Sequence, residues 1–533
     1  MALTRRHLLA TGAAAAAGLS VAGCGRSGAG GGPSPTDLNF CQAVQVTSLA
    51  PMGKQPQGYP SGYEAAFAVY SGLVRLAPDM SFQPDLARRW SVAADGRTWT
   101  FQLRTGVRFH DGTAFGADDV VGYFTKMLDP DYNLSAYSLW SPIASVRRVD
   151  ARTVRITTKQ PYSALLNTLA HGSGLIPSRA LVAAGEAKAA LHAVGTGPYT
   201  LSSFTPGSRL VLERNRAYFG ALPRHETLTF TYVGDASGRL AALEAGQAQL
   251  IDALPVEQAK SVTLNASKRL SSGSGLQTFG IGINQANPLL TDVRVRRALN
   301  LAVDVPAIVK VVLRGRARTL TSPLAERTNG YAKVGAVAHD KARALELLRQ
   351  AGCTTDSAGR LHHHGRRVVL RLRTPDGMYV NDVLVAQAVQ AELAEIGIAV
   401  TIQKVDKSTF WAGIQVAKKA GDFDLALFGF NPSHGSGALQ LDIMYRSNAS
   451  ADKVAGWNFC WYRNDRVDRL LTEALTTVDA ARQRAVMRQA QQLIWHDYPY
   501  IWLYAPDNLI AYDSTLAHPV VLPVGFALPS RTS

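Results

Sequence analysis

The chain has 533 residues, 47% of them apolar and 18% charged, which is the balance of a globular protein built from several lobes of ordinary size. Its formal net charge is +16. The cations are spread as isolated pairs such as Arg88-Arg89 and Arg147-Arg148, with no basic run to track a phosphate backbone, so the composition argues against a nucleic-acid binder.

Residues 1–24 have the layout of an export signal. Arg5-Arg6 is followed by a short Ala-rich apolar stretch, Leu8 to Val21, too short for a membrane span. Thr4-Arg5-Arg6-His7-Leu8-Leu9 resembles a twin-arginine signal. Val21-Ala22-Gly23-Cys24 resembles a lipobox, with Cys24 as the acylated residue, and residues 25–36 have the Gly/Ser/Pro composition of a flexible tether. The mature protein is therefore expected on the outer face of the cytoplasmic membrane, in the cell envelope, held by lipid. That compartment permits disulfides. Cys41, Cys353 and Cys460 remain, an odd number that allows one bridge at most, and their spacing matches no zinc pattern.

Residues 37–50 read as a first strand and Tyr59 to Tyr70 as a helix. From 70 to 128 short strands follow one another. Trp99, Phe101 and Leu103 alternate with Thr98, Thr100 and Gln102, the period of a half-buried strand, and Ala94-Asp95-Gly96-Arg97 precedes them as a turn. Another strand is expected to end at Phe109, closed by Asp111-Gly112. Ala117 to Leu128 reads as a helix, with Asp118 and Asp119 at its positive end and Val120, Val121, Phe124 and Leu128 on one face. Tyr132, Tyr137 and Trp140 then stand in a loop, either as core or as cleft lining. Gly195-Thr196-Gly197-Pro198-Tyr199 has the glycines and proline of a crossing point between lobes.

Further on stands the run Gly280 to Asn284. Asp340 to Ala351 and Asn381 to Ile396 are helices, the second capped by Gly397. Residues 356–374 form a hairpin with His362, His363 and His364 near its tip; strand geometry points alternate side chains to opposite faces, so the three do not converge on one metal ion. Asp424 to Phe430 is a buried strand, and Tyr500 to Tyr504 and Leu509 to Tyr512 are the last strands. For catalysis, His171-Gly172-Ser173-Gly174 and Gly273-Ser274-Gly275 place serines among glycines, but neither completes a Gly-x-Ser-x-Gly elbow. No His-Glu-x-x-His motif is present.

The ordered series Y-S-G-L-V (70–74), P-D-L-A-R-R-W (84–90), D-G-R-T-W-T-F-Q-L-R-T-G-V-R-F-H-D-G-T (95–113) and A-D-D-V (117–120), followed by G-T-G-P-Y (195–199) and G-I-G-I-N (280–284), resembles the family 5 solute-binding proteins. These are the large dipeptide-, oligopeptide- and nickel-binding lipoproteins of ABC importers. The resemblance implies an α/β, two-lobed periplasmic-binding-protein-like fold of the type II, large cluster C form, with an extra subdomain in the first lobe. On that basis residues 37–69, 195–280 and 505–533 form the first lobe, 70–194 the subdomain and 281–504 the second lobe. It also implies a monomer that is not an enzyme, needs no cofactor, and works with ABC permease and ATPase subunits on a peptide or peptide-like solute.

The same resemblance places the loop after Phe430 in an interlobe cleft. Peptide-binding members often carry an acid there for the ammonium end, whereas Asn431-Pro432-Ser433-His434 holds none before Asp442. The expected ligand-binding residues are Tyr137, Trp140, Trp411, Phe430, Asn431, His434, Trp457, Asn458 and Phe459. His434 has three open roles: ligand contact, metal ligand, or a hydrogen bond within its loop. A nickel or other metal-chelate binder of the same family is the alternative, weakened by the absence of an Arg shortly before Pro177-Ser178.

Overall fold

A computed structural model describes residues 36–53, 61–132, 137–336, 338–415, 422–449 and 456–529. The export signal, Cys24 and nearly all of the tether lie outside the described residues. Three sheets carry the architecture, and each follows from its side-chain pattern.

The first lobe is built on an eight-stranded sheet. Its order is Lys268–Ser274, Tyr504–Asp513, Leu250–Ile251, Asp37–Gln42, Thr227–Tyr232, Arg209–Arg214, Tyr199–Thr205, and Ala317–Thr319 also pairs with Tyr504–Asp513. Asp37–Gln42 and Thr227–Tyr232 run parallel with Phe40 opposite Phe230, and both rings are buried in one core with Leu210 and Leu228. The two last strands expected at 500–504 and 509–512 are both present, as Tyr500–Trp502 in the second-lobe sheet and as the longer, ten-residue Tyr504–Asp513 here. Pairing of the latter with Lys268–Ser274 along seven registered positions keeps it extended.

The second lobe holds a five-stranded sheet in the order Ala399–Asp406, Val369–Asp376, Leu425–Phe430, Thr278–Ile283, Tyr500–Trp502. Every residue of Thr278–Ile283 and Leu425–Phe430 is buried, as befits strands covered on both faces. Their alternate residues enter different cores. Ile281, Ile283, Leu425 and Leu427 pack with Val385, Val389 and Leu299, while Ala426, Phe428 and Phe430 pack with Phe410, Leu441 and Trp495.

The four-stranded antiparallel sheet Ala87–Val92, Thr98–Leu103, Thr153–Thr158, Ile143–Asp150 forms the subdomain. Trp99, Phe101 and Leu103 face the helix Ala117–Leu128, as their alternation required. Asp95 accepts from the backbone N–H groups of Arg97 (2.9 Å) and Thr98 (3.0 Å), and Gly96 has φ 64°. Asp119 accepts from Gly116 N (2.8 Å) at the helix start. The strand expected to end at Phe109 is instead a tight turn with one isolated bridge, Arg108 to Ala114, because Phe109 N donates to Thr113 O (2.9 Å) across it.

The Gly195–Tyr199 segment joins subdomain to first lobe by close backbone approach. An added Cβ on Gly195 or Gly197 would lie 2.2 or 2.5 Å from Val69 O, which explains the glycines. His110 of the subdomain clamps the same segment, its Nε2 3.1 Å from Gly197 O and its backbone N 2.9 Å from Gly195 O. Cys41, Cys353 and Cys460 are free and buried. His362 and His363 lie in the strand Leu361–His363, and His364 forms the turn with Gly365, both at positive φ. Among the described residues no group of three His, Cys, Asp or Glu is placed to hold a metal, and no helix is long and apolar enough to cross a membrane.

Candidate functional site

The strand Leu425–Phe430 runs parallel to its neighbour Val369–Asp376, and open α/β sheets present ligand sites beyond the carboxyl ends of such strands. The chain leaving Phe430 meets the subdomain and the C-terminal segment. Asn431 Nδ2 donates to Val524 O (3.0 Å), Asn167 Nδ2 of the subdomain donates to His434 O (2.9 Å), and Ser433 Oγ lies 3.5 Å from His171 Nε2. Gly435 has φ 70°, the left-handed conformation that favours glycine. Ser436 then caps the helix Gly437–Tyr445, its Oγ accepting from Leu439 N (3.3 Å).

More contacts fasten the two bodies together. Arg327 Nη2 donates to Pro78 O (2.6 Å), Asn329 Nδ2 to Met80 O (3.3 Å), and Ser163 Oγ to Ala474 O (3.0 Å). The second lobe is therefore closed on the subdomain along the loop.

Two imidazoles are enclosed there. His434 is 5% exposed, and its Nδ1 accepts from Ser436 N (3.0 Å). Its Nε2 is buried and has no hydrogen-bond partner among the described residues. Burial, helped by the neighbouring His171, pushes its pKa down to about 3. His171 is 6% exposed, and burial pushes it down to about 4. His171 Nδ1 accepts from Ser173 N (3.2 Å) and lies 2.9 Å from Ser173 Oγ. Trp140 Nε1 donates to that same Oγ (2.9 Å), and Tyr123 OH donates to Ser173 O (2.9 Å). The Tyr63 ring meets the His171 ring edge-on at 5.1 Å. Close by in the second lobe, Gln440 Nε2 donates to Thr278 Oγ1 (3.3 Å), while its buried Oε1 has no partner among the described residues.

An aromatic wall adjoins the loop. Trp457 packs on Trp411 (4.6 Å between centroids), on Phe430 (5.0 Å) and on Phe459 (5.7 Å), and Trp411 reaches Phe428 at 6.1 Å. Trp411 and Trp457 are partly buried, whereas Phe459 is sealed. The structure thus brings Trp411, Phe430, Trp457 and Phe459 into one cluster, with Asn431 and His434 on the loop that leaves it.

The other expected residues sit elsewhere. Trp140 is fully buried against Phe124 (4.8 Å) in the subdomain core, and Tyr137 packs on the same core. Asn458 is fully buried and spent on its own loop: its Nδ2 donates to Arg446 O (2.9 Å) and Tyr462 O (2.7 Å), and its Oδ1 accepts from Tyr462 N (3.0 Å). His171, Ser173, Asn167 and Gln440 were not among the expected residues. The one signal for the first two was the His-Gly-Ser-Gly run, read only as an incomplete hydrolase elbow.

Of the cavities outside this cluster, two lie at junctions between parts of the fold. One of about 430 Å³ between subdomain and first lobe is lined by Arg75, Arg104, Tyr218 and Phe219. The other, of about 560 Å³, lies where the lobes join, lined by Thr319, Thr321, Glu326 and Tyr331. None of the expected site residues lines either.

Residues 81–452 match the profile of the bacterial extracellular solute-binding proteins, family 5. The chain is 30% identical over 457 residues to the glutathione-binding protein GsiB of Pectobacterium atrosepticum, covering 84% of this chain and 85% of that one. Its fold is similar to that of the oligopeptide-binding protein AppA of Bacillus subtilis, solved with a nonapeptide (25% identity, TM-score 0.74, 92% of this chain and 96% of that one). It is also similar to NikA of Brucella suis, solved with Fe(III)-EDTA (23% identity, TM-score 0.81, 93% and 99%).

Proposed function

This chain belongs to the bacterial extracellular solute-binding proteins of family 5, and from that premise we propose that it captures a peptide or peptide-like solute between its lobes and delivers it to an ABC permease. The observation that carries the reading is the junction at 431–436: a polar loop with buried, incompletely paired groups, flanked by an aromatic wall and closed against the subdomain. Aromatic faces take up side chains of varied shape, and buried amide and imidazole groups seek the hydrogen bonds of a peptide backbone. A glutathione-binding relative at 30% identity supports the same solute class. Trp411, Phe430, Asn431, His434 and Trp457 contact the solute in this reading, and the sealed Phe459 backs the aromatic wall through Trp457. Trp140 supports the site through Ser173, Asn458 through Arg446 and Tyr462, and Tyr137 supports the subdomain face. Capture and release make and break no covalent bond, so the protein is a carrier and not an enzyme. It works as a monomer, exported with its Arg5-Arg6 signal and anchored through Cys24.

Native mass spectrometry of the protein purified from its own host, followed by denaturation and identification of the released solute, tests this. Peptides or peptide-like thiols support the reading. A single metal chelate overturns it in favour of the alternative within the same family.

A further inference from the structure

We infer that His434 and His171 are matched neutral donors, each presenting an Nε2–H across the lobe junction to an oxygen acceptor of the solute, a carboxylate or amide carbonyl, and that neither ring ligates a metal. This rests on the proposed interlobe site and specifies what that site reads.

The tautomers follow from the partners. A neutral imidazole carries one N–H, and the nitrogen that accepts a hydrogen bond is the one without it. In His434 the backbone N–H of Ser436 points at Nδ1, so the proton stands on Nε2. His171 is set by a longer chain. Indole nitrogen is a donor only, so Trp140 fills one lone pair of Ser173 Oγ. The Ser173 hydroxyl is then free to donate, and His171 Nδ1 lies 2.9 Å away. The Ser173 backbone N–H points at the same Nδ1. Both donors leave the His171 proton on Nε2, which faces Ser433 of the other lobe at a long 3.5 Å. Two elements from different lobes arrive at the same tautomer by independent routes.

The consequence for chemistry is selective. The His434 Nε2–H is buried with no acceptor among the described residues, which is costly to leave unmade. An oxygen acceptor satisfies it. A metal ion does not: coordination through Nε2 needs a lone pair there, which moves the proton to Nδ1 and sets it against the Ser436 N–H. Coordination through Nδ1 displaces that same bond. In His171 the Nδ1 side is closed by Ser173 and Trp140. The arrangement therefore selects solutes by acceptor oxygens and makes a directly histidine-ligated nickel an unsuitable cargo. Burial of both rings keeps them uncharged at neutral pH, so the recognition is by hydrogen bonding and not by an ion pair.

The test uses the mature chain labelled with 15N-histidine, whose ring nitrogens report the tautomer directly, with His171→Asn and His434→Asn assigning the signals. Asn keeps an acceptor where each Nδ1 stood and deletes the Nε2–H. The expected result at pH 7.5 is the Nε2–H tautomer for both rings. Added reduced glutathione should shift the His434 and His171 Nε2 signals, and Ni²⁺ alone should leave them unmoved. Calorimetry with glutathione should show a loss of tenfold or more in His434→Asn, with His434→Gln, which carries an N–H at similar reach, losing less. The dimethyl ester of glutathione, which keeps no carboxylate, separates the two acceptors: a further large loss assigns a carboxylate, retained affinity an amide carbonyl. An Nδ1–H tautomer, a charged ring, or a stoichiometric effect of Ni²⁺ on either ring overturns the inference. So does glutathione binding that leaves both rings unmoved. Failure of glutathione and of a tryptic peptide mixture to bind at all counts instead against the peptide-like reading of the site, while the tautomer and nickel arms still decide the role of the histidines.

Discussion

Acidification should destabilise this protein through His171 and His434, and the size of the effect can be worked from their burial. An unfolded histidine titrates near 6.5, and these two are pushed down to about 4 and about 3. A depressed folded-state pKa means that the unfolded chain binds more protons between the two values. Stability is therefore fully present above pH 6.5 and declines as pH falls toward 4. At pH 5 each ring lies about 1.5 pH units below its unfolded value, which at about 1.4 kcal/mol per unit is about 2 kcal/mol each and about 4 kcal/mol for the pair. Two buried carboxyls act in the opposite sense: burial raises Asp252 to about 6 and raises Glu64, so the folded state takes up their protons early. The absolute profile mixes both signs, and the difference between wild type and His171→Asn/His434→Asn isolates the histidines. Urea unfolding of both proteins at pH 8, 7, 6 and 5 measures it. The wild type should lose about 4 kcal/mol more than the double variant between pH 8 and pH 5. Parallel profiles would refute the claim that these rings are held neutral by closure of the lobes.

Asn458→Ala strips hydrogen bonds from Arg446 O, Tyr462 O and Tyr462 N at once, so the urea midpoint should fall by the equivalent of about 2–3 kcal/mol; a neutral result would mean that water replaces all three. Trp457→Ala removes the ring shared by Trp411, Phe430 and Phe459, with an expected cost of about 3 kcal/mol and weaker capture of the co-purified solute, read by thermal melts and calorimetry. Cys24→Ser should release the protein from the membrane fraction of its host, checked by fractionation and blotting; unchanged membrane association would remove the lipid anchor from the account.

Much of the scaffold was legible because it is written locally. Thr98 to Leu103 alternates, Asp95-Gly96 turns, and Ala117 to Leu128 carries one apolar face; each feature needs only its own neighbours. The largely apolar run 424–430 announced burial as well, although not that the two faces of its strand feed separate cores. The short segment at Phe109 failed as a strand because the Thr113 carbonyl, four residues on, captured its N–H in a turn. The site resisted reading for a different reason. Ser433 and His171 are 262 residues apart, and nothing local tells that Asn458 turns its amide onto its own loop or that Trp140 spends its N–H on Ser173. Aromatic and polar residue types mark candidates, while only the closed structure distributes them between wall, core and support.

The junction itself explains why closure and capture belong together. The contacts that cross it are mainly side chains donating to backbone carbonyls: Asn167 to His434 O, Asn329 to Met80 O, Arg327 to Pro78 O and Ser163 to Ala474 O. Each replaces a bond to water and is worth about 1 kcal/mol net, so a handful of them holds the lobes together only moderately. Against that gain stands the enclosure of His434 Nε2 without a partner among the described residues, which costs free energy of the same order as one such bond. In the proposed site, a solute that supplies an acceptor to that N–H removes the cost only in the closed form. Its binding energy is then realised as closure, which is the differential affinity a two-state carrier requires. The peptide unit carries such an acceptor, its C=O, in every repeat.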